Sequence, residues 1–295
     1  MKRKTLTLAL ASLVLMGAAC NKLESPQPSK APAVVPGSQI VFSLSGEGLV
    51  FDATKATAVT LSNLTSFNLQ CITGTAGSAE ANAWSLTSLD GHSGTVNTGK
   101  YWPVTDPGYK FYASNAAITF AAAGSTVNPA NCNTDWVVAS NTAPTYAASN
   151  TLTFNHILAR LGTVTLNTQS GYALSGVTAT LKSASHSGTY KLSNCTWTSK
   201  GSASDEACAA FSGSASAQTS TNDIYVVPGS YTMSVSYTLT KGDYVQSFTK
   251  TGTITLAEGR INNITATAVG GSAQEITFSV SVTAWSNNPV TLTLS

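Results

Sequence analysis

Charged side chains are scarce in this sequence of 295 residues. Lys, Arg, Asp and Glu together make up 9% of it, against about 25% in ordinary soluble domains. The net charge is +2, and the basic residues do not cluster beyond Lys2, Arg3 and Lys4. Because nucleic-acid binding depends on concentrated positive charge, the sequence predicts no nucleic-acid partner.

Residue types that carry catalysis or bind metals are also few. The three histidines, His92, His156 and His186, are far apart, and no two have the spacing that places ligands on one helix face. No serine stands in a Gly-x-Ser-x-Gly elbow, and the 13 acidic residues are scattered. We therefore expect no enzyme activity, no cofactor and no metal site, and we interpret His156 as a packed structural residue.

The first 19 residues have the pattern of a secretory signal peptide. Three basic residues precede an uncharged apolar run, Leu6–Met16, and small residues lead to Cys20. The run has about eleven residues, whereas a bilayer core needs roughly 20. The pattern resembles a lipobox and predicts a bacterial lipoprotein that is acylated on the thiol of Cys20. An ordinary signal peptide cleaved near Ala19 is the alternative.

Residues 20–38 are expected to form a flexible tether. Pro26, Pro28, Pro32 and Pro36 interrupt any regular structure there. The folded part of the chain is therefore predicted to begin near residue 39.

Beyond the tether, the sequence predicts an all-β protein. Turn signals at Pro228-Gly229, Lys241–Asp243 and Glu258-Gly259 separate apolar segments at intervals of roughly 10 to 15 residues, which is typical of antiparallel β-sandwiches. A polar stretch before residue 149 marks the best boundary. We predict two β-sandwich domains in tandem, at 39–149 and 150–295.

Alternating and β-branched segments identify the individual strands. One stretch, Asn155–Leu161, instead has three apolar residues on one helix face, and we predict a single helical turn there. The predicted strands are Ile40–Leu44, Val59–Leu61, Phe67–Ile72, Ala117–Ala121, Trp136–Ala139, Gly162–Asn167, Val177–Ser183, Asp223–Val227, Tyr231–Thr240, Gln246–Leu256 and Ile276–Trp285.

Four cysteines follow Cys20. An oxidising envelope permits them to pair, and four thiols allow three connectivities. With a boundary at 149, the simplest pairing joins Cys71 to Cys132 and Cys195 to Cys208, one bridge in each domain. Free buried thiols that behave as small apolar residues are the alternative.

An aromatic cluster permits two interpretations. Tyr101-Trp102-Pro103 and the rings that follow could form a sugar-stacking platform, or they could fill a core. Tyr109 and Phe111 alternate around Lys110 as they would in a strand, and we therefore favour core packing.

Three segments, in order, resemble the fimbrillin family of the Mfa-like group. Tyr101-Trp102-Pro103 with Tyr109–Ala113 resembles a segment in which a Tyr-Trp-Pro element precedes an aromatic strand. Phe154–Leu161 is similar to the stretch that opens the second domain, and Val280–Trp285 resembles the closing strand and tryptophan. The resemblance spans almost the whole exported chain. It implies transthyretin-like, Greek-key sandwiches and a structural subunit of a type V pilus that contributes to adhesion.

The resemblance also implies processing. Family members lose a first strand by cleavage in a Thr-(Arg/Lys)-Ala-Thr context, and Thr54–Thr57 has that position here, which makes the bond between Lys55 and Ala56 the candidate site. Cleavage would remove Ile40–Leu44 and expose an unpaired groove. A strand from a neighbouring subunit would fill the groove, and Pro289–Leu294 is the expected donor.

One feature departs from the family pattern: no arginine stands between Cys20 and Arg160. Cleavage at Lys55 therefore requires a lysine-directed enzyme. Alternatively, Lys55 is an ordinary loop lysine, and the protein keeps its lipid as a pilus anchor or tip. A non-polymerising surface lipoprotein that binds a glycan or receptor through Trp102 or Trp136 is the remaining alternative.

The resemblance implies three partners. Other copies or related pilin subunits would bind through strand donation, the outer membrane would hold the lipid on Cys20, and a receptor on a host or bacterial surface would be bound by the assembled fimbrium. The expected location is the cell outer membrane for the lipid-anchored precursor and then the surface fimbrium.

Overall fold

The computed structural model describes residues 37–46, 64–74, 80–91, 94–132, 134–269 and 276–284. All the secondary-structure elements assigned in these ranges are β-strands, which confirms the predicted all-β class. Within the same ranges, no helix has the length and apolar character needed to cross a membrane.

The strands are numbered in chain order. Those of the first half are β1 (Gln39–Gly46), β2 (Phe67–Thr73), β3 (Ala81–Leu89), β4 (Thr95–Tyr101), β5 (Lys110–Ser114), β6 (Ile118–Thr119), β7 (Thr126–Val127), β8 (Val137–Asn141) and β9 (Asn150–His156). Those of the second half are β10 (Ala159–Thr168), β11 (Ala173–Lys191), β12 (Thr196–Ala207), β13 (Ser212–Ser214), β14 (Ala217–Val226), β15 (Gly229–Lys241), β16 (Tyr244–Leu256), β17 (Arg260–Ala268) and β18 (Ile276–Ala284).

The first sheet has seven strands in the order β3-β2-β5-β8-β9-β1-β4. Its neighbouring strands are antiparallel except for β1 and β9, which are parallel. Val96 on β4, at one end of this order, and Leu69 on β2, near the other end, belong to the same buried cluster. The sheet therefore folds over a core of its own, as a β-sandwich does.

Two further sheets enclose the core of the second half. One has the order β13-β14-β10-β17-β18, and the other has the order β16-β15-β11-β7-β6, with β12 paired to β11. Leu161 and Val164 on β10 face Leu181 on β11 and Met233 on β15 in a single buried cluster. This arrangement confirms the predicted sandwich class for the second half.

Strand β15 shows how the sequence produces this core. Its buried residues recur at every second position from Tyr231 to Leu239, while serines and threonines fill most positions between them. A period of two places all the apolar side chains on one face of a strand. The predicted turn at Lys241–Asp243 joins β15 to β16, and Gly242 there has a φ of 56°, a conformation that favours glycine.

A packed junction joins the two halves. Strand β7, from the first half, pairs with β11 of the second, with Val127 opposite Tyr190. Ile157 and Leu158, between β9 and β10, are fully buried in two clusters that contain residues from both halves. The first half is thus attached to the second by strand pairing as well as by side-chain packing.

Strand pairing moves the expected boundary at residue 149. Strand β9 pairs with β8 and β1, so residues 150–156 belong to the first sheet and not to the second half. The chain passes to the second half between His156 and Ala159. The division into two independent domains stays a prediction.

The helical turn predicted at Asn155–Leu161 is wrong. This segment contains the end of β9 and the start of β10. Ile157, Leu158 and Leu161 are all buried, but each packs into a different cluster. An extended backbone is needed to direct consecutive apolar side chains into separate cores, and tertiary packing therefore overrides the helical pattern.

Candidate functional site

Strand β1 is an interior strand of the first sheet, between β9 and the edge strand β4. It pairs antiparallel with β4, with Phe42 opposite Val96, and parallel with β9, with Phe42 opposite Asn150. Its inward side chains Ile40, Phe42 and Leu44 are 0%, 0% and 8% exposed. Removal of this one strand would leave an apolar slot with unpaired backbone groups along both walls.

Polar side chains on both walls hold β1 in place. The Thr98 hydroxyl donates to the carbonyl oxygen of Ile40 at 2.8 Å in a buried position. On the other wall, the hydroxyls of Ser45 and Thr153 lie 2.9 Å apart. Thr98 contacts the backbone of β1, so its hydrogen bond does not depend on the identity of the side chain at the paired position. The slot could therefore bind another strand with the same backbone register.

Aromatic rings line the bottom of the slot. The ring of Phe42 lies 4.8 Å from that of Phe111 in an edge-to-face contact. Trp102 contacts Phe111 and Tyr146, at ring-centroid distances of 6.1 and 5.6 Å, and is 2% exposed. A ring buried to this extent has no face available for a sugar. The structure confirms the core interpretation for Trp102 and Phe111, whereas Tyr101 is 57% exposed. It excludes Trp102 as a stacking platform.

Trp136, the other ring considered for sugar stacking, is half-buried at the junction. It packs against both junction clusters, including Cys132 and Ile157. Its carbonyl oxygen accepts a hydrogen bond from the backbone N–H of Ile157 at 3.0 Å. This residue therefore contributes to the packing between the two halves.

Three of the four cysteines predicted to pair are free thiols: Cys71, Cys132 and Cys208. Neither the Cys71–Cys132 bridge nor the Cys195–Cys208 bridge is therefore present. Cys71 lies in the core of the first half and Cys132 in a junction cluster, so they do not share a core as the pairing assumed. Burial raises the pKa of Cys132 to about 12 and that of Cys208 to about 11, which makes both poor nucleophiles.

His156 has the structural role predicted for it. Its Nδ1 lies 2.6 Å from Oδ2 of Asp135, and the two side chains are 2% and 0% exposed. Arg160, at the start of β10, forms an ion pair with Asp223. Buried polar groups are retained where they are paired, and these pairs lie at the passage from β9 to β10.

The residues assigned to processing and lipidation lie outside the described residues. These are Cys20, Lys55 and Ala56, and the donor segment Pro289–Leu294 also lies outside, as does the predicted strand Val59–Leu61. Their roles remain predictions from the sequence.

Strand β18 is the last described element before the predicted donor segment. It lies at the edge of its sheet, and among the described strands it pairs with β17 alone. Phe278 packs against the core, whereas Val280 and Val282, at the next alternate positions, are 36% and 55% exposed. Within the described ranges, the outer edge of β18 therefore has no neighbouring strand at the point where the chain leaves them.

Several solved structures resemble this fold. One is a candidate cell adhesion protein from Bacteroides ovatus, with 13% identity and a TM-score of 0.45, covering 84% of this chain and 98% of its own. Another, from Bacteroides uniformis, has 13% identity, a TM-score of 0.44 and the same coverage. A third, from Bacteroides eggerthii, has 15% identity and a TM-score of 0.42, covering 85% and 98% of the two chains.

The family assignment depends on the sequence and not on these structures. No curated protein is significantly similar to the chain. Residues 54–285, however, match the family described as fimbrillin-like, in agreement with the resemblance seen in the three motifs. Because this match covers well over half of its length, the chain belongs to the fimbrillin-like family.

Proposed function

We propose that this protein is a structural, non-enzymatic subunit of a cell-surface fimbrium of the type V class, assembled by strand exchange and contributing to adhesion. One observation carries the proposal. The family match begins at Thr54, whereas β1 ends at Gly46. A buried strand that is paired on both edges in the first sheet therefore lies outside the part of the chain that the family shares. This is expected if β1 serves the precursor and another strand replaces it in the fimbrium.

The family assignment itself supports the coarser part of the proposal. Fimbrillin-like proteins are adhesion-related surface proteins that associate with other pilin subunits, and the present chain shares that family over residues 54–285. Strand exchange and processing are the finer part.

The energetics of the slot favour replacement of β1. Burial of a large apolar side chain contributes about 1.5–3 kcal/mol, so the loss of Ile40, Phe42 and Leu44 costs on the order of 6 kcal/mol. Ordinary domains have a total stability of about 5–15 kcal/mol. A trimmed subunit would therefore be marginal until a new strand restores both the core and the backbone hydrogen bonds.

The end of the chain has a suitable pattern for that strand. Pro289–Leu294 has apolar residues at every second position, as β1 has at Ile40, Phe42 and Leu44. Alternation of this kind lets a donated strand fill successive pockets on one side while its backbone completes the ladder. Repeated head to tail, the contact produces an open filament and not a closed ring.

The remaining steps come before assembly. A lipid on Cys20 would hold the precursor at the outer membrane, and residues 20–38 would act as the tether. Cleavage between Lys55 and Ala56 would then release the chain from its lipid and open the slot in one step. Adhesion would follow from contacts of the fimbrium with a receptor on a host or bacterial surface.

Mass spectrometry of protein released from the native cell surface tests this sequence of events. We expect chains in high-molecular-weight assemblies to begin at Ala56 and monomers to begin at acylated Cys20. Lys55→Gln should abolish both the Ala56 terminus and the assemblies. Lys250→Gln, a lysine substitution on β16, is the matched control and should leave both unchanged.

Two results would contradict the proposal. Assemblies built from chains that still begin at Cys20 would show that β1 is not exchanged. Acylated monomers alone would rule out a polymerising subunit and favour a lipid-retaining anchor or a surface-binding lipoprotein.

A further inference from the structure

A surface cleft opens where β11 separates from β15. The two strands pair as far as Lys182 opposite Thr232, whereas the other edge of β11 remains paired with β12 as far as Lys191. The cleft between them has a volume of about 530 Å³, within the range of small-ligand sites. It is lined by Lys182, Ser183, Ser185, Lys200, Gly201, Ser202, Ala203, Ser230, Tyr231, Thr232 and Thr253.

Among the described residues, five that are not glycine have a positive φ, and two of them line this cleft. Ser183 on β11 has a φ of 49° and Ser202 on β12 has a φ of 42°. Residues with a side chain rarely adopt this left-handed conformation, because their Cβ atom comes too close to the following carbonyl oxygen. Such strain is found preferentially at binding sites. Two strained serines facing one cleft indicate that its shape is maintained against a local cost.

The cleft contains one ammonium group without an acidic partner. Lys182 donates to Asp205 at 2.5 Å, and the backbone N–H of Ser183 donates to the same carboxylate at 3.0 Å. Lys200, by contrast, has no carboxylate within ion-pair distance among the described residues, and its Nζ lies 5.4 Å from the centre of the Tyr231 ring. The cleft therefore has a net charge of one positive unit.

The position of Lys200 depends on a glycine. A Cβ atom added at Gly229 would lie 2.0 Å from Nζ of Lys200, so any side chain there would displace the ammonium. Partial burial lowers the pKa of Lys200 below its ordinary value. An ammonium that has lost part of its hydration gains more from an anionic ligand than a fully hydrated one does.

The rest of the lining is rich in hydroxyl groups. The side-chain hydroxyls of Ser202, Thr232 and Thr253 have no hydrogen-bond partner among the described residues, and each can both donate and accept. Apolar atoms, among them those of Ala203 and the ring of Tyr231, nevertheless make up most of the exposed lining. Such a surface matches a ligand that presents hydroxyl groups together with an apolar ring face and carries one negative charge.

We propose that this cleft binds an acidic saccharide, with its anionic group on Lys200 and its ring hydroxyls on the serines and threonines of β12, β15 and β16. The site would give the protein a receptor specificity of its own. The cleft involves neither β1 nor the residues after 284, so the proposal is independent of strand exchange.

Calorimetry on the purified, untrimmed monomer tests the proposal with three matched probes. These are oligosaccharides that end in glucuronic acid, in glucose 6-sulfate or in unmodified glucose. At least one acidic probe should bind at least about tenfold more tightly than the neutral probe. The reason is that only an acidic probe can form a charge-assisted hydrogen bond with Lys200. The two acidic probes decide whether the anion is a carboxylate or a sulfate.

Variants connect the binding to the cleft. Lys200→Gln should weaken the acidic probe about tenfold, whereas Lys200→Arg should retain most of the affinity. Lys241→Gln is the matched control, because Lys241 also lies over an aromatic ring, that of Tyr172, at 4.8 Å but outside the cleft. Ser202→Gly should weaken binding while it increases stability, since glycine relieves the strain and removes a hydroxyl.

Two kinds of result would contradict the proposal. Failure of both acidic probes to bind, or equal binding of neutral and acidic probes, would overturn the proposal. Unchanged binding by the Lys200→Gln and Ser202→Gly variants would place any ligand elsewhere on the protein.

Discussion

Strands β1 and β18 have the same sequence pattern and opposite environments. In β1, Ile40 and Phe42 are 0% exposed between two neighbouring strands, whereas in β18 Val280 and Val282 are 36% and 55% exposed at a sheet edge. Both strands alternate apolar and polar residues. Alternation thus identifies a strand and its inward face, but it does not show whether the strand is central or at an edge.

The difference has consequences for assembly. A central strand holds two neighbours and a share of the core, so its loss creates a site for another strand. An edge strand can be extended or displaced with little effect on the sheet it leaves. The proposed strand exchange would use the first half of the molecule as the acceptor and the chain after β18 as the donor.

Among the changes that test this comparison, removal of β1 should have the largest effect on stability and self-association. A chain that begins at Ala56 is expected to lose the cooperative unfolding of its first half or to self-associate, because the slot is empty. A chain that ends at Ala284 should keep the unfolding transition of the full-length protein. Thermal unfolding followed by circular dichroism, together with size-exclusion chromatography, measures both.

A peptide supplies the control for this experiment. A synthetic Ser38–Gly46 peptide should restore a monomer with a higher melting temperature, and the same peptide with Phe42→Asp should not. If the chain from Ala56 unfolds as the full-length protein does and stays monomeric, β1 is dispensable and the acceptor role is wrong.

Single substitutions in β1 and β18 should show a smaller difference in stability. Phe42→Ala leaves a cavity beside Phe111 and should lower the free energy of unfolding by about 3–5 kcal/mol. Val282→Ala removes a side chain that is more than half exposed and should change it by about 0.5 kcal/mol or less. Urea titration of both variants measures the difference, and similar losses would show that β18 is as firmly packed as β1.

The smallest effect concerns the junction between the two halves that contain these strands. Glu258 accepts a hydrogen bond from the Tyr190 hydroxyl at 3.0 Å, and desolvation raises its pKa to about 7 from an ordinary value of 4.5. The folded protein then binds this proton more tightly than the unfolded chain does. The contribution of Glu258 to stability should therefore be greatest below about pH 4.5 and should decrease as the pH rises to about 7.

The size of this pH effect should be about 1 kcal/mol or less, because Glu258 is an exposed residue and solvent screens its charge. Unfolding by urea at about pH 5 and about pH 8 measures it. Glu258→Gln should remove this part of the pH dependence, whereas Glu206→Gln, in the β11–β12 ribbon, should retain it. A wild-type protein that is more stable at the higher pH would give the opposite sign and contradict the assignment.

Strands were predictable from the sequence where one face is apolar. β15 and β16 were found almost to their observed ends because their inward residues recur with a period of two. β12 was missed because most of its side chains are exposed and it has no apolar face. Its stability comes from backbone pairing with β11, which no local pattern in its own sequence indicates.

The candidate sites were only partly predictable. The first strand and its inward face were read correctly from Ile40–Leu44. The parallel pairing of β1 with β9 was not predicted, because the two strands are more than 100 residues apart in the chain. Register between such distant segments is set by packing. The cleft at Lys200 also had no signal, because strands β11, β12, β15 and β16 each contribute only a few polar residues to it.

The sequence by itself determined the all-β class, the apolar face of β1 and the family, because these depend on local periodicity and on short motifs. Only the tertiary structure decided that β1 is central and β18 is peripheral, that β9 belongs to the first sheet and that three cysteines stay unpaired. The physical reason is that sheet position, burial and thiol proximity are relations between distant parts of the chain. They are settled by which backbone groups pair and which side chains share a core.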